Sequence, residues 1–427
     1  MTRVHVIGAG LAGLACAVEL ARRGAAVSLH EAAAQAGGRC RSYFDAVLGR
    51  TIDNGNHLLF SANRAALDYL SAIGARDSLT GPESAEIPFL DLRSGRRWRL
   101  APNDGPVPWW ILRDGRRVPG TGALDYLAGL RLAFAGPRAT VGEALPGRGA
   151  LWESFWEPLT VAALNTAPDE ASARLLWRLL ADSFLRGGRA CRPLIARESL
   201  GASFVEPALN TLRAAGIEPR FNARLRRVAF EGGRVAGLSF SDGEIALEAG
   251  ERVVLAVPPA NAAELVPGLK VPSESRPIVN AHIRLPGPPP DRPAILGLIG
   301  GTAQWLFLRG EIASVTVSAA SALVEQPNDT IAALLWADTA RALGLDPEPA
   351  PPVRVIKERR ATFAQTPEAL ALRPPARTAW TNLILAGDWT DTGYPATIES
   401  AVRSGRRAAD LAAPEPAGAA AMRVKDA

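Results

Sequence analysis

Short apolar runs broken by glycine turns open the chain. Val4-His5-Val6-Ile7 reads as a buried strand, and Leu11 to Leu20 carries helical periodicity just beyond a glycine-rich turn. Ala26-Val27-Ser28-Leu29-His30 is a second strand, so residues 1–75 are predicted to hold a βαβ unit and its extension. Between 85 and 120 the runs shorten and pair. Phe89–Leu92 and Trp98–Leu100 flank Ser94-Gly95, Trp109–Leu112 and Val118 flank Asp114-Gly115, and both read as hairpins. From 121 to 187 the period turns helical: Trp152, Phe155, Trp156 and Leu159 share one face, and Leu175, Leu176, Leu179 and Leu180 another. Strands return after 200. Gly216 to Phe240 predicts a meander turning at Gly232-Gly233, and Arg252 to Val257 a buried strand that rejoins the first unit. Residues 295–320 read as sheet, Thr330 to Leu343 as an amphipathic helix, and Pro286–Pro293 and Pro347–Pro352 as connectors.

This alternation predicts an α/β chain with two interleaved domains. A Rossmann-type, discontinuous nucleotide domain is expected over 1–75, 196–270 and 355–412. An inserted α+β substrate domain is expected over 76–195 and 271–354, followed by a disordered Ala/Pro/Gly-rich tail, 413–427. The length, 427 residues with 48% hydrophobic, allows two full cores. No uncharged apolar stretch of about 18 residues lies beyond the N-terminal fold, so no transmembrane helix is expected. Cys16, Cys40 and Cys191 have no metal-ligand spacing and the four histidines are scattered, which points to cytoplasmic residence and no metal site. Nearly all of the 48 basic residues are arginine, lysine standing only at 270, 357 and 425. The net charge of +5 is spread out, and no basic run interleaved with aromatics suggests nucleic acid.

Three segments carry cofactor chemistry. The first is Gly8-Ala-Gly10-Leu11-Ala12-Gly13, between strand and helix, with Glu31 ending the second strand and Ala32 after it. In a dinucleotide fingerprint Gly8 permits the tight turn, Gly10 lets backbone approach a pyrophosphate, and Gly13 lets helix and strand pack closely. The helix start offers free N–H groups to phosphate, and Glu31 offers a carboxylate to ribose hydroxyls. The second is Gly37-Gly38-Arg39, which can bring a guanidinium to phosphate or ribose oxygens. The third is the apolar run Leu383–Ala386, ending at Gly387-Asp388 and followed by Pro395-Ala396-Thr397-Ile398. Asp388 would meet the ribityl or pyrophosphate part of a flavin nucleotide. A helix starting near Ala396 would aim its positive end at the flavin pyrimidine ring.

Together these segments resemble the amine oxidase and carotenoid desaturase superfamily of FAD enzymes, over nearly the whole chain. Within it the chain is similar to the hydroxysqualene dehydroxylase family. Four stretches carry that similarity: Asp53-Asn54-Gly55-Asn56-His57, Trp156–Ser172, Arg359–Pro367, and Ala386 to Glu399. Two departures are Leu59–Arg64 after the histidine, and Tyr394 where a smaller aliphatic residue is usual. The resemblance implies noncovalent FAD, backbone contact to adenine at Leu225, and a flavin-side loop at Asn54 and Gly55. It implies replacement of an allylic hydroxyl by hydride in a lipophilic isoprenoid held in an apolar tunnel. His57 is the candidate proton donor, or the residue that places a water near the flavin; a plain packing role stands beside both. Asn165 and Glu157 are weaker candidates. A carotenoid-type desaturase or isomerase, an amine oxidase and an FAD-containing isoprenoid carrier are the alternatives. No second nucleotide fingerprint is visible, so direct NAD(P)H binding has no support and the electron donor stays unassigned. Trp109, Trp110 and Arg113 suit peripheral contact with the inner membrane, or equally a hairpin whose indoles fill the substrate-domain core.

Overall fold

The computed structural model describes residues 3–145, 147–289 and 292–413; the expected disordered tail lies outside them except for Ala413. Four parallel strands form the nucleotide sheet in the order Leu383–Leu385, Arg252–Leu255, Arg3–Ile7, Ala26–His30. The strands come from widely separated stretches because both faces must be covered. Val4, Val6, Leu29, Val254 and Ile384 point to a helical layer that includes Leu11–Arg22 and Ile398–Ala412. Ile7, Val253, Leu255, Leu383 and Leu385 point the other way, against a meander of Leu225–Glu231, Arg234–Phe240 and Gly243–Ala246. The first and last helices cross closely at Gly405, where a Cβ would stand 2.2 Å from the Ala12 carbonyl oxygen. This is the α/β Rossmann-type architecture expected.

The second sheet has seven strands, in the order Val353–Phe363, Ser275–Arg284, Ile312–Val317, Trp305–Arg309, Ile295–Ile299, Ile87–Asp91, Arg97–Leu100. All its pairs are antiparallel except Ile295–Ile299 with Ile87–Asp91. One face is apolar and packs on the helix Asn328–Leu343 through Ile331, Leu335 and Trp336. A helical layer between residues 123 and 191 packs around Trp110, Trp152, Phe155, Trp156, Leu175 and Leu176.

Three expectations need correction. Residues 353–363 pair with Ser275–Arg284, so the return to the nucleotide domain falls after Phe363 and not at 355. Trp109–Val118 is no hairpin: it forms two 3-10 turns, Trp109–Leu112 and Asp114–Arg116. Pro106, Pro108 and Pro119 withhold donors that a second strand pair would need. Trp110 is not a surface anchor; it is 4% exposed and packs edge-on against Tyr126, while Trp109, 40% exposed, lies outside.

Candidate active site

The glycine turn after the first strand has distinct steric demands. A Cβ on Gly8, whose φ is +104°, would stand 2.5 Å from the Ala256 carbonyl oxygen, and one on Gly13 would stand 1.8 Å from the Gly8 oxygen. Those two glycines are fixed by protein packing. A Cβ on Gly10 would meet nothing within 4 Å, so Gly10 borders open space. The helix that begins at Leu11 and Ala12 has no side-chain cap and no acidic residue in its first turn. An uncapped helix start facing open space fits a pyrophosphate, whose charge would satisfy the free N–H groups.

The other nucleotide candidates converge here. Glu31 accepts from the Ala9 N–H at 2.7 Å and the Ala33 N–H at 2.8 Å, which holds its carboxylate across the turn. Ala32 beside it is exposed. Gly38 closes over Gly10, a Cβ there falling 3.3 Å from the Gly10 Cα. The segment leading to Leu225 runs along the same edge: Asn222 N–H donates to Ala33 and Ala223 N–H to Glu31. Leu225 itself opens the meander opposite Phe240.

Arg39 bridges to the far end of the sheet. Its guanidinium donates to Asp388 Oδ1 at 2.7 Å and to the Ala361 carbonyl. Asp388 is buried, and its position depends on groups that no motif announced. Arg373, buried, donates to the carbonyls of Asp388, Thr390 and Tyr394 and so ties the loop together. Gly387 donates its N–H to Ser404 Oγ, and its φ of +142° suits glycine alone. The N–H of Ala396 is already taken by Gln365 Oε1 at 2.8 Å, and the last helix starts at Ile398 with Thr397 capping Ser400. Glu399 follows and accepts from the Ala65 and Ala66 N–H groups, capping the helix Arg64–Ala72. Tyr394 sets its ring beneath Arg178 and Arg403 and its hydroxyl on Asp182.

The loop Asp53–His57 is held by the seven-stranded sheet. Asp53 is buried and bonds Arg309 Nη1 at 2.6 Å, Ser42 Oγ at 2.6 Å and the Leu200 N–H at 2.8 Å. Arg309 also donates to Asn56 Oδ1; Asn56 donates to Thr316 Oγ1, which donates to Asn280 Oδ1. The Asn280 amide stands against Gly55, and Asn54 donates to Glu358 on the edge strand. His282 Nε2 donates to the Asp53 carbonyl, and in the neutral ring Nδ1 accepts from the Ser314 hydroxyl. Burial, reinforced by the Arg309 charge, pushes its pKa down to about 4.

His57 has no hydrogen-bond partner among the described residues. Burial and then the Arg39 charge push its pKa down to about 4, yet part of its surface remains accessible. That shift favours the uncharged imidazole at neutral pH, and a neutral ring can donate from one nitrogen and accept at the other. Asn165 is consumed structurally, bonding Thr362, Arg276 and Ala319, and Glu157 is exposed. Leu58, next to His57, packs with Ile195, Ile295, Trp305 and Phe307. Ile195 and Ile295 also line a cleft of about 1080 Å³ on the outer side of that layer.

Residues 11–413 match the family described as flavin containing amine oxidoreductase. The chain is 49% identical to a hydroxysqualene dehydroxylase of Rhodopseudomonas palustris, over 96% of this chain and 97% of that one. It is 46% identical to a hydroxysqualene dehydroxylase of Sinorhizobium fredii, over 96% and 98%. Its fold is similar to that of putrescine oxidase bound to putrescine, with a TM-score of 0.69 at 17% identity, over 96% of this chain and 98% of that one. The uncapped helix start, the open face at Gly10 and the deep but accessible His57 and Arg39 fit the dinucleotide and flavin ends of FAD. The chain is thus an FAD-dependent oxidoreductase that belongs to the flavin-containing amine oxidoreductase family, in its hydroxysqualene dehydroxylase branch.

Proposed function

We propose that this chain converts hydroxysqualene to squalene and water. The reading rests on one observation: a chain nearly half identical to a hydroxysqualene dehydroxylase places an apolar wall beside a neutral, unpartnered histidine. Reduced FAD, when bound, supplies the hydride that replaces the hydroxyl. The chain supplies the surroundings. Leu58, Ile195, Ile295, Trp305 and Phe307 exclude water from the carbon whose C–O bond breaks, and aromatic rings in that wall favour the positive charge that spreads into the adjacent alkene. His57 donates a hydrogen bond from one ring nitrogen to the departing oxygen and holds a water at the other, so the hydroxyl leaves as water once it takes a proton. Arg309, Asn56 and Thr316 keep the His57 loop in register with that wall.

The test is an anaerobic single turnover. The holoenzyme is reduced photochemically, hydroxysqualene is added, and the flavin spectrum and extracted lipid are followed together. Flavin oxidation matched one-to-one by squalene is the expected result. A flavin that stays reduced, with hydroxysqualene recovered intact, overturns the proposal and directs attention to oxidised enzyme with polyenes.

A further inference from the structure

We infer that residues 107–138 form a docking face for an anionic phospholipid surface. The segment Ala123–Leu127 is an α-turn that continues as the 3-10 stretch Ala128–Phe134. Its inner side is apolar and seated: Leu132 is buried, and Gly129 lies so close to Trp156 that a Cβ would stand 2.6 Å from the indole. Its outer side is apolar as well. Leu124 is 79% exposed and Phe134 89%, with Leu127 and Leu130 exposed between them. The turn Trp109–Leu112 packs against this segment through Trp110 and Tyr126, 5.3 Å between ring centroids, and adds Leu112, 69% exposed, to the same face. A helical segment that is apolar on both sides belongs in an apolar medium, and a patch of this kind marks an interaction site.

The charges say which medium. Arg113 and Arg116 stand over the Trp109 ring at 5.1 and 5.2 Å, and Arg131 and Arg138 are exposed nearby. None of these four makes an ion pair among the described residues, whereas both acidic residues of the segment, and Asp104 just before it, are engaged or have a cationic neighbour. Asp114 pairs with Arg117, Asp125 caps the Gly122 N–H, and Asp104 sits near Arg189. The uncommitted charge of the face is therefore positive. Aliphatic tips, an indole at their edge and unpaired arginines around it match the acyl and headgroup levels of an anionic leaflet. The connection between Trp109–Leu112 and Ala123–Leu127 also lines the cleft of about 1080 Å³, through Asp114, Gly115 and Arg117 to Gly120. On the function proposed above, a lipid could pass from leaflet to cleft without crossing water; the docking itself does not depend on that function.

The experiment is flotation of the holoenzyme with vesicles of phosphatidylcholine alone or mixed with phosphatidylglycerol. The wild type is expected to float with the mixed vesicles, and less at high salt. Leu124→Ser with Phe134→Ser is expected to lower the floating fraction about tenfold. Arg113→Glu with Arg131→Glu is expected to abolish the preference for phosphatidylglycerol. All four positions are exposed, so FAD content and melting midpoint should match the wild type. A wild type that stays at the bottom with both vesicles overturns the inference, as does a double-serine variant that floats like the wild type. A dimer in sedimentation that the double-serine change splits, without vesicle capture, also overturns it and makes the face a contact between copies.

Discussion

Acidification to pH 5 should weaken this fold through its buried histidines, His30, His282 and His57. His30 ends the second strand with its ring between His5, 6.0 Å away, and Phe240, 4.6 Å away, and neither ring nitrogen has a hydrogen-bond partner. His282 is equally buried, bonded to Ser314 through Nδ1 and to the Asp53 carbonyl through Nε2. Burial pushes both pKa values down to about 4. In the unfolded chain each binds its proton near 6.5, so the unfolded state takes up more protons between the two values. The stabilisation is therefore fully present above pH 6.5 and is lost as pH falls toward 4. His57 is depressed to the same value, so between pH 7 and pH 5 the linkage is about 2 kcal/mol for each of the three, about 6 together, a large share of a domain's stability. Asp91, held below the ordinary carboxylate range by the Arg93 guanidinium, titrates outside this window. Denaturant titrations followed by tryptophan fluorescence at pH 7, 6 and 5, at fixed ionic strength and saturating FAD, measure the slope. His30→Phe keeps the stack, breaks no hydrogen bond and should remove about a third of the slope while leaving stability at pH 7 unchanged or higher. A wild type equally stable at pH 7 and pH 5, or a His30→Phe variant with the full slope, would refute the reasoning.

Two further outcomes separate cofactor binding from folding. Gly10→Ala should leave the melting midpoint of the cofactor-free protein in place and lower its FAD content, because the new methyl enters the open space. Gly13→Ala should lower that midpoint even without FAD, because the methyl collides with the Gly8 carbonyl; the two variants behaving alike would contradict this division. Arg309→Met strands the buried Asp53 carboxylate and should cost about 3 kcal/mol in denaturant titration. Asp53→Asn should cost less, and an Arg309→Met variant as stable as the wild type would show that the pair does not hold the loop.

What could be read from the chain follows where the physical demand lies. Backbone geometry imposes residue types at fixed spacing, so Gly8, Gly10, Gly13, Glu31 and the Gly387-Asp388 turn were legible from order alone. Side chains that act across the fold were not. Asn56 and Thr316 are 260 positions apart, and Arg309 and Asp53 are 256 apart. Gln365 lay inside a segment recognised by resemblance, but its task appears only once the Ala396 N–H is opposite it. Neighbouring residues can also part company: Trp109 and Trp110 are equivalent as letters, and only the 3-10 turn decides which indole goes inward. The three prolines around that turn were a readable warning against a second hairpin.

The strand Ser275–Arg284 shows why alternation misleads at a working site. Val279, Ala281 and Ile283 alternate with Asn280 and His282, a pattern that ordinarily means one dry face and one wet face. Here both faces are buried. The polar side survives burial because Asn280, His282, Ser314 and Thr316 find their partners in the His57 loop or in each other, so each desolvated group is satisfied. Farther across the sheet the neighbouring strands contribute Ile295 and Phe307, whose side chains carry no polar atoms and pack with Ile195, Leu58 and Trp305 in an apolar cluster. The sheet thus changes from loop holder to apolar wall along its width, and His57 belongs to the loop at that change. An apolar substitution at Thr316 would extend the wall but strand the Asn56 amide, so stability and His57 placement should fail together there.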